Sequence, residues 1–314
     1  MRLFAIPLVL LAFTVFGQTD LKKLYEEKRF DEVVRIAKAI DDDQPTYATA
    51  QYYLGRVAFD QKNLDDAADY FEEATEAKGG QQSDYYTWLG DTYGSIAGDA
   101  NVIRQGMLAP KMRNAWEKAI ALDDKNIRAR VSLIQFYTKA PSLMGGSKEK
   151  AKEMAKQIMV INPAQGHRSM GNLLVEEKNI DGAEKEYLEM VRLDPNFTTV
   201  LANFYHNQKK FDKAFSLFDE AIKKNPNDMA AIYQTGRTCA VSGQRLDLGE
   251  EYLIKYLAYT PKQNEPSHAG ANMRLGQIYE KKGKKSEAKS RYETALKLDN
   301  SLQEAKDGLS RVSK

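Results

Sequence analysis

The segment LDPNFTTVLANFYHNQKKFDKAFSLFDEAIKKNP, residues 193–226, decides the fold of this chain. It holds two stretches whose apolar residues recur with the 3.6-residue period of an amphipathic helix, the second of them running from Phe211 through Phe218. Pro195 and Pro226 bound the pair, because proline cannot continue a helix and also restricts the residue before it. The segment therefore predicts helix, turn, helix. A single hairpin of this kind cannot bury both of its faces.

The same pattern returns along the chain. First helices carry a Leu-Gly pair at Leu54-Gly55, Leu89-Gly90 and Leu275-Gly276. Second helices carry a small residue, an aromatic residue and a further small or apolar residue at Ala67, Phe71 and Ala74, at Ala183, Tyr187 and Met190, and at Ala288, Tyr292 and Ala295. These marks resemble the tetratricopeptide repeat, a helix–turn–helix unit of ~34 residues with Leu-Gly-x-x-Tyr, Ala-x-x-x-Phe and Pro. The resemblance covers nearly all of the chain after residue 17.

The resemblance implies an all-α fold, a right-handed α-solenoid of about eight helix–turn–helix repeats with a C-terminal closing helix and no sheet. We predict one continuous array over residues 18–314. Its repeats fall at approximately 18–46, 47–80, 81–125, 126–163, 164–195, 196–226, 227–261 and 268–300, and its closing helix at 301–313.

Residues 1–17, MRLFAIPLVLLAFTVFG, have the composition of a secretory signal peptide. One basic residue precedes an apolar run, and a small residue, Gly17, stands before Gln18. The alternative is a membrane anchor, but the run is short for a span of about 20 residues. We therefore expect an exported bacterial protein, periplasmic or secreted, that has no membrane span once the peptide is cleaved.

Composition argues against several classes of function. The chain has 46 Lys and Arg against 44 Asp and Glu, whereas a general nucleic-acid binder would usually be markedly basic. Cys239 is the single cysteine, and its place in a first helix predicts a buried, inert thiol. The histidines His167, His206 and His268 lie in different repeats, without metal-ligand spacing. No catalytic motif is present, so we expect no enzyme activity, no catalytic residues, no cofactor and no metal site.

Two segments interrupt the repeat pattern, Gly94–Lys111 in repeat three and Lys139–Lys150 in repeat four. Both fall between the first and second helix of their repeat. Such turns lie along one edge of a stacked array, so we expect the two insertions to meet in space.

Charge is unevenly distributed. Residues 18–100 hold nine Lys and Arg against eighteen Asp and Glu, and residues 255–314 hold thirteen against seven. One interpretation is two solvated faces, and the other is head-to-tail self-association that salt would weaken.

The family resemblance implies that first helices line a concave face that binds partners. Carried over position by position, it gives a partner-binding set that contains Tyr52, Arg56, Arg128, Val131, Gln135, Arg168, Asn172, Asn203, Tyr233 and Arg237. Asp91 is the acidic exception on this face. Because guanidinium groups pair with carboxylates in two-pronged fashion, we predict a protein or peptide partner that presents an extended or acidic segment to repeats four to seven. The alternative interpretation of these arginines is that they pair with acids of their own array.

We therefore predict a non-enzymatic protein–protein interaction scaffold of the cell envelope. One alternative is an architectural subunit of an envelope assembly that docks through the inserted edge of repeats three and four. A minor alternative is a hydrolase or transferase with an unrecognised site.

Overall fold

The computed structural model describes residues 18–262 and 264–314, and throughout these ranges the regular structure is helical, with no strand. The all-helical expectation is thereby confirmed. The predicted signal peptide at residues 1–17 lies outside the described ranges. Within them, no helix combines the length and the apolar character needed to cross a membrane.

The described chain groups into two compact units. We call them the N-unit, which ends at Lys178, and the C-unit, Asn179–Lys314. The helices of the N-unit are α1 (Gln18–Glu26), α2 (Phe30–Ala37), α3 (Tyr47–Asp60), α4 (Leu64–Glu76), α5 (Ser83–Asp99), α6 (Val102–Leu122), α7 (Ile127–Lys139), α8 (Lys148–Ile161) and α9 (Pro163–Glu176). Those of the C-unit are α10 (Ile180–Leu193), α11 (Thr198–Asn207), α12 (Phe211–Lys224), α13 (Met229–Ser242), α14 (Leu246–Leu257), α15 (His268–Lys281), α16 (Lys285–Leu298) and α17 (Gln303–Val312). The predicted fifth repeat consists of α9, which belongs to the N-unit, and α10, which belongs to the C-unit. The pairing of these two helices stays a prediction.

Several helix pairs, among them α3 with α4, α11 with α12 and α15 with α16, reverse direction in a turn of three residues. The turn residue adopts a left-handed backbone at Lys62, with φ of 67°, at Lys209, with φ of 57°, and at Gly283, with φ of 73°. This conformation costs little only for glycine, so the lysines are held there by the packing of the helices on either side. In these pairs the sharp reversal lays the second helix antiparallel to the first.

Small residues of the first helices lie against aromatic rings of the second helices. A Cβ atom added at Gly55 would lie 2.8 Å from the Phe71 ring, and one added at Gly276 would lie 2.8 Å from the Tyr292 ring. Both rings are fully buried. The two helices therefore approach as closely as the Leu-Gly and small–aromatic–small patterns predict.

Tyrosine hydroxyls tie successive hairpins together within each unit. In the C-unit, Tyr205 of α11 donates a 2.9 Å hydrogen bond to Glu184 of α10, and Tyr279 of α15 donates one of 3.1 Å to Glu250 of α14. In the N-unit, Tyr137 of α7 donates one of 3.2 Å to Glu117 of α6. In α7, α11 and α15 a tyrosine of the first helix thus reaches the second helix of the preceding pair.

The insertion of repeat three lengthens two helices. Helix α5 has 17 residues and α6 has 21, and the Asn101 side chain between them accepts a 3.0 Å hydrogen bond from the Arg104 amide at the start of α6. Pro110 lies inside α6. Within the insertion of repeat four, Ser142–Met144 form a short 3₁₀ turn, which is followed by Gly145 with φ of 100°. The first insertion is thus an extended hairpin and the second a compact turn.

Candidate functional site

Three consecutive first helices of the N-unit bring two arginines to one tryptophan. The Arg56 guanidinium of α3 lies 4.0 Å from the ring centroid of Trp88 on α5. The Arg128 guanidinium of α7 lies 3.9 Å from the same indole. Each contact is a cation–π interaction, the type in which tryptophan is the best acceptor. The pair of contacts fixes both arginines on the surface that the first helices α3, α5 and α7 form, which we call the first-helix face.

Arg56 is held by aromatic groups. Its guanidinium donates hydrogen bonds of 2.7 Å to the Tyr52 hydroxyl and 3.0 Å to the Tyr25 hydroxyl, and it lies 4.5 Å from the Tyr25 ring centroid. Its Nε atom is buried without a hydrogen-bond partner. Among the described residues, no carboxylate forms an ion pair with it. Arg56 is therefore a positioned cation without an internal counter-charge.

Tyr52 holds the guanidinium of Arg56 in place through its hydroxyl. Its side chain is buried and stacks on Tyr85 at a centroid distance of 4.5 Å, and its hydroxyl donates a 2.6 Å hydrogen bond to Asp84. Burial, and next the carboxylate of Asp84, raise the pKa of Tyr52. The hydroxyl therefore stays protonated and orients Arg56.

Arg128 differs from Arg56 because it has a carboxylate of its own. Its guanidinium lies 2.7 Å from Asp91 Oδ2. The other oxygen of Asp91 accepts hydrogen bonds of 2.9 Å from Trp116 Nε1 and 2.8 Å from Ser132 Oγ. For Arg128 the alternative interpretation, pairing with an acid of the same array, is correct.

The C-terminal parts of α5 and α7, together with α6, line a cavity of about 650 Å³. Gln135, a predicted face residue, is exposed and lines it. Residues of both insertions contribute to its wall, among them Gly98 and Gln105 from the first and Pro141 and Met144 from the second. The expectation that the two insertions meet in space is thereby confirmed.

The C-unit has a second arginine pair on its first helices. Arg237 of α13 donates a 3.1 Å hydrogen bond to Gln234 and forms no ion pair with a carboxylate in the described part of the chain. Burial, and next the charge of Arg274, lower its pKa. Arg274 of α15 donates hydrogen bonds of 2.6 and 3.2 Å to the two carboxylate oxygens of Glu304 on α17. The closing helix α17 thus supplies the carboxylate that pairs with Arg274.

Sequence reasoning did not select Trp88 or Arg274. Each stands immediately before a Leu-Gly pair, Leu89-Gly90 in one case and Leu275-Gly276 in the other. That position is therefore a face position in these repeats, and the recurring Leu-Gly mark would have located both residues.

The other predicted face residues are divided between the units. Arg168 and Asn172 are exposed on α9 of the N-unit, and Val131 of α7 is half-buried. In the C-unit, Asn203 of α11 has a buried Oδ1 without a hydrogen-bond partner, and Tyr233 of α13 is buried. Contact of one partner with repeats four to seven involves both units and stays a prediction.

Two residues weighed as reactive groups are packed in the C-unit core. Cys239 is fully buried, and burial raises the pKa of its thiol to about 11. His206 is buried, and its Nδ1 lies 2.8 Å from the Thr238 hydroxyl. Among the described residues, no group of three or more His, Cys, Asp or Glu side chains is arranged to hold a metal ion.

Comparison with known proteins identifies the repeats. A family model described as tetratricopeptide repeat matches residues 35–82 and 168–228, and a second with the same description matches residues 269–302. A solved tetratricopeptide repeat protein from Parabacteroides merdae is similar with a TM-score of 0.54 at 16% identity, over 91% of this chain and 100% of that one. PilW, described as a widely conserved type IV pilus biogenesis factor, is similar with a TM-score of 0.50 at 20% identity, over 74% and 98% of the two chains.

A curated relative matches a smaller part of the chain. Protein O-mannosyl-transferase TMTC1 of Homo sapiens is 26% identical over 181 residues, which are 58% of this chain and 19% of that protein. This chain therefore spans about a fifth of the length of that relative. The family matches and the solved structures together show that the chain is an α-solenoid that contains tetratricopeptide repeats.

Proposed function

We propose that this protein is a non-enzymatic interaction scaffold of the cell envelope that binds an extended, acidic segment of a partner protein on its first-helix face. Residues 1–17 would direct export and be removed, which leaves a periplasmic or secreted chain that begins at Gln18. Tetratricopeptide repeats generally mediate protein–protein interaction, and the fold is typically non-enzymatic.

Arg56 carries the proposal. A guanidinium that two tyrosine hydroxyls and an indole hold in place loses little side-chain entropy when a carboxylate arrives. It has no ion pair to break first, and charge-assisted hydrogen bonds are roughly twice as strong as neutral ones. Arg237 of the C-unit resembles Arg56 in one respect, since in the described part of the chain it too has no ion pair to break. Arg128 and Arg274, whose carboxylates lie at 2.7 and 2.6 Å, are the expected weaker contributors.

The test uses a displayed library of random dodecapeptides selected against the full chain after depletion on Arg56→Gln, which removes peptides that bind elsewhere on the chain. We expect the enriched peptides to be rich in Asp and Glu. Binding of an enriched peptide should fall about tenfold or more in Arg56→Gln, as expected for loss of a charge-assisted contact. Arg35→Gln is the matched control, because Arg35 is an exposed arginine of the second helix α2 in the same unit.

Peptides without acidic enrichment would contradict the proposal, and so would equal binding by the parent and Arg56→Gln. Export is tested separately by the intact mass of protein recovered from its native host. A chain that starts at or near Gln18 supports a cleaved signal peptide, and a chain that retains residues 1–17 supports the anchor.

A further inference from the structure

A cavity between the two insertions is formed by residues that the first-helix proposal does not use as cations. It lies wholly within the N-unit, between α5, α6, α7 and the turn Ser142–Met144, and its volume of about 650 Å³ falls in the range of ligand sites in proteins. It is separate from Arg56, which does not line it.

Most of its wall is apolar. Trp116 and Phe136 lie 6.3 Å apart between ring centroids and form part of the wall, to which Met112, Met144 and Ala109 add further apolar surface. A wall of this kind favours an apolar group, because aromatic and methionine side chains bury large apolar area.

The polar part of the wall carries one uncompensated charge. Only Asp91 and Lys139 of the lining residues are ionised side chains, and Asp91 is already engaged by Arg128, Trp116 and Ser132. Lys139 is exposed, and in the described ranges it has no hydrogen-bond or ion-pair partner. The cavity is therefore complementary to an apolar group that lies next to a single negative charge.

The surface around the cavity indicates the size of the occupant. Leu143 of the second insertion, the neighbour of the lining residue Met144, is 97% exposed. A small molecule inside the cavity would leave Leu143 in water, whereas a polypeptide that enters the cavity could also cover this side chain.

We infer that the inserted edge binds a polypeptide segment of a partner protein, with a bulky apolar side chain in the cavity and an adjacent Asp or Glu paired with Lys139. The alternative hypothesis, that the protein docks through the inserted edge of repeats three and four, thereby gains a specific ligand, namely this polypeptide segment. It does not depend on Arg56 or Arg237, which do not line the cavity.

Gly94 of α5 allows the cavity to be filled without disturbing the fold. A Cβ atom there would lie 3.7 Å from Trp116 and 3.9 Å from the Met112 side chain, which are ordinary contact distances. Gly94→Leu therefore directs its side chain into the cavity. Gly94→Ala is the matched control, because it makes the same backbone change and leaves most of the volume open. Lys139→Gln tests the charge, with the exposed Lys185→Gln of the C-unit as its control.

The first probe is anilinonaphthalene sulfonate, an apolar molecule with one negative charge. We expect the fluorescence of the probe to rise when it binds to the parent and to Gly94→Ala. The apparent affinity of the probe should be about tenfold or more lower for Gly94→Leu. The second probe is the dodecapeptide library, selected on the parent after depletion on Gly94→Leu. The enriched peptides should pair a bulky apolar residue with a neighbouring Asp or Glu, and should bind Lys139→Gln several-fold more weakly.

Equal binding of the enriched peptides by Gly94→Leu and the parent would overturn the inference. So would concentration-dependent dimers in sedimentation that Gly94→Leu abolishes, since the occupant would then be a second copy. Binding of the parent to anionic lipid vesicles that Gly94→Leu abolishes, without peptide enrichment, would also overturn it. An Arg56→Gln variant should bind these peptides as the parent does, so failure here is distinguishable from failure of the first-helix proposal.

Discussion

Tyr205 donates a 2.9 Å hydrogen bond to Glu184 and thereby ties α11 to α10. Lys210 and Lys213 donate further bonds of 2.6 and 2.8 Å to the same carboxylate. These partners, the lysines first, lower the pKa of Glu184 to about 2. Its contribution to stability is present above its unfolded-state pKa, near 4.5, and is lost as the pH falls through the folded-state value.

We predict that Glu184→Gln lowers the free energy of unfolding by about 1–3 kcal/mol at pH 7. The difference from the parent should shrink as the pH falls from about 4.5 toward 2. Urea unfolding followed by circular dichroism measures it. Glu220→Gln, an exposed acid of α12, is the control and should change stability by less than about 0.5 kcal/mol. Equal effects of the two substitutions would contradict the role of the Glu184 cluster.

Two glycines of α5 should respond to alanine with opposite signs. A Cβ at Gly90 would lie 2.5 Å from Trp116 Nε1, whereas one at Gly98 would meet no heavy atom within 4 Å. Gly90→Ala should therefore destabilise the chain by about 1–3 kcal/mol through overpacking. Gly98→Ala should stabilise it by about 0.5 kcal/mol, because alanine loses less backbone entropy in a helix. Thermal denaturation compares the two, and a stabilising Gly90→Ala would contradict the close approach of α5 and α6.

His206 should make stability depend on pH in the weakly acidic range. Burial, and next the charges of Arg237 and Arg274, lower its pKa to about 4 from an ordinary value of 6.5. The unfolded chain therefore takes up a proton at this position before the folded chain does, and stability falls as the pH falls from about 6.5 to 4. In His206→Gln this loss should be smaller by about 1–3 kcal/mol between pH 7 and pH 4.5. Identical pH profiles of urea unfolding for the two proteins would contradict the shift.

The repeating part of the fold could be predicted because its marks are local. Pro195 and Pro226 bound a hairpin, and Gly55 against Phe71 shows why the small and aromatic positions recur. The extended hairpin could not be predicted in the same way. Pro110 was expected to fall in an inserted segment between helices, yet it lies inside α6, where the close contact of α5 with α6 outweighs one missing amide donor.

The candidate site was predictable in position and less so in chemistry. The family resemblance placed Arg56 and Arg128 on first helices, but sequence spacing alone does not say which arginine has an acid nearby. Asp91 lies 37 positions before Arg128 in the chain, and only the stacking of α5 on α7 brings the two within 2.7 Å. Counter-charges of this kind depend on contacts between repeats, which a single repeat pattern does not contain.

Hydrogen exchange of the full chain with an enriched acidic dodecapeptide tests the first-helix proposal most directly. Amide exchange reports which helices the ligand covers or stabilises. The account predicts slower exchange in α3 and α5 around Arg56 and Trp88, and no such protection with Arg56→Gln. Protection confined to the second helices α2 and α4, or to residues 139–150, would contradict it.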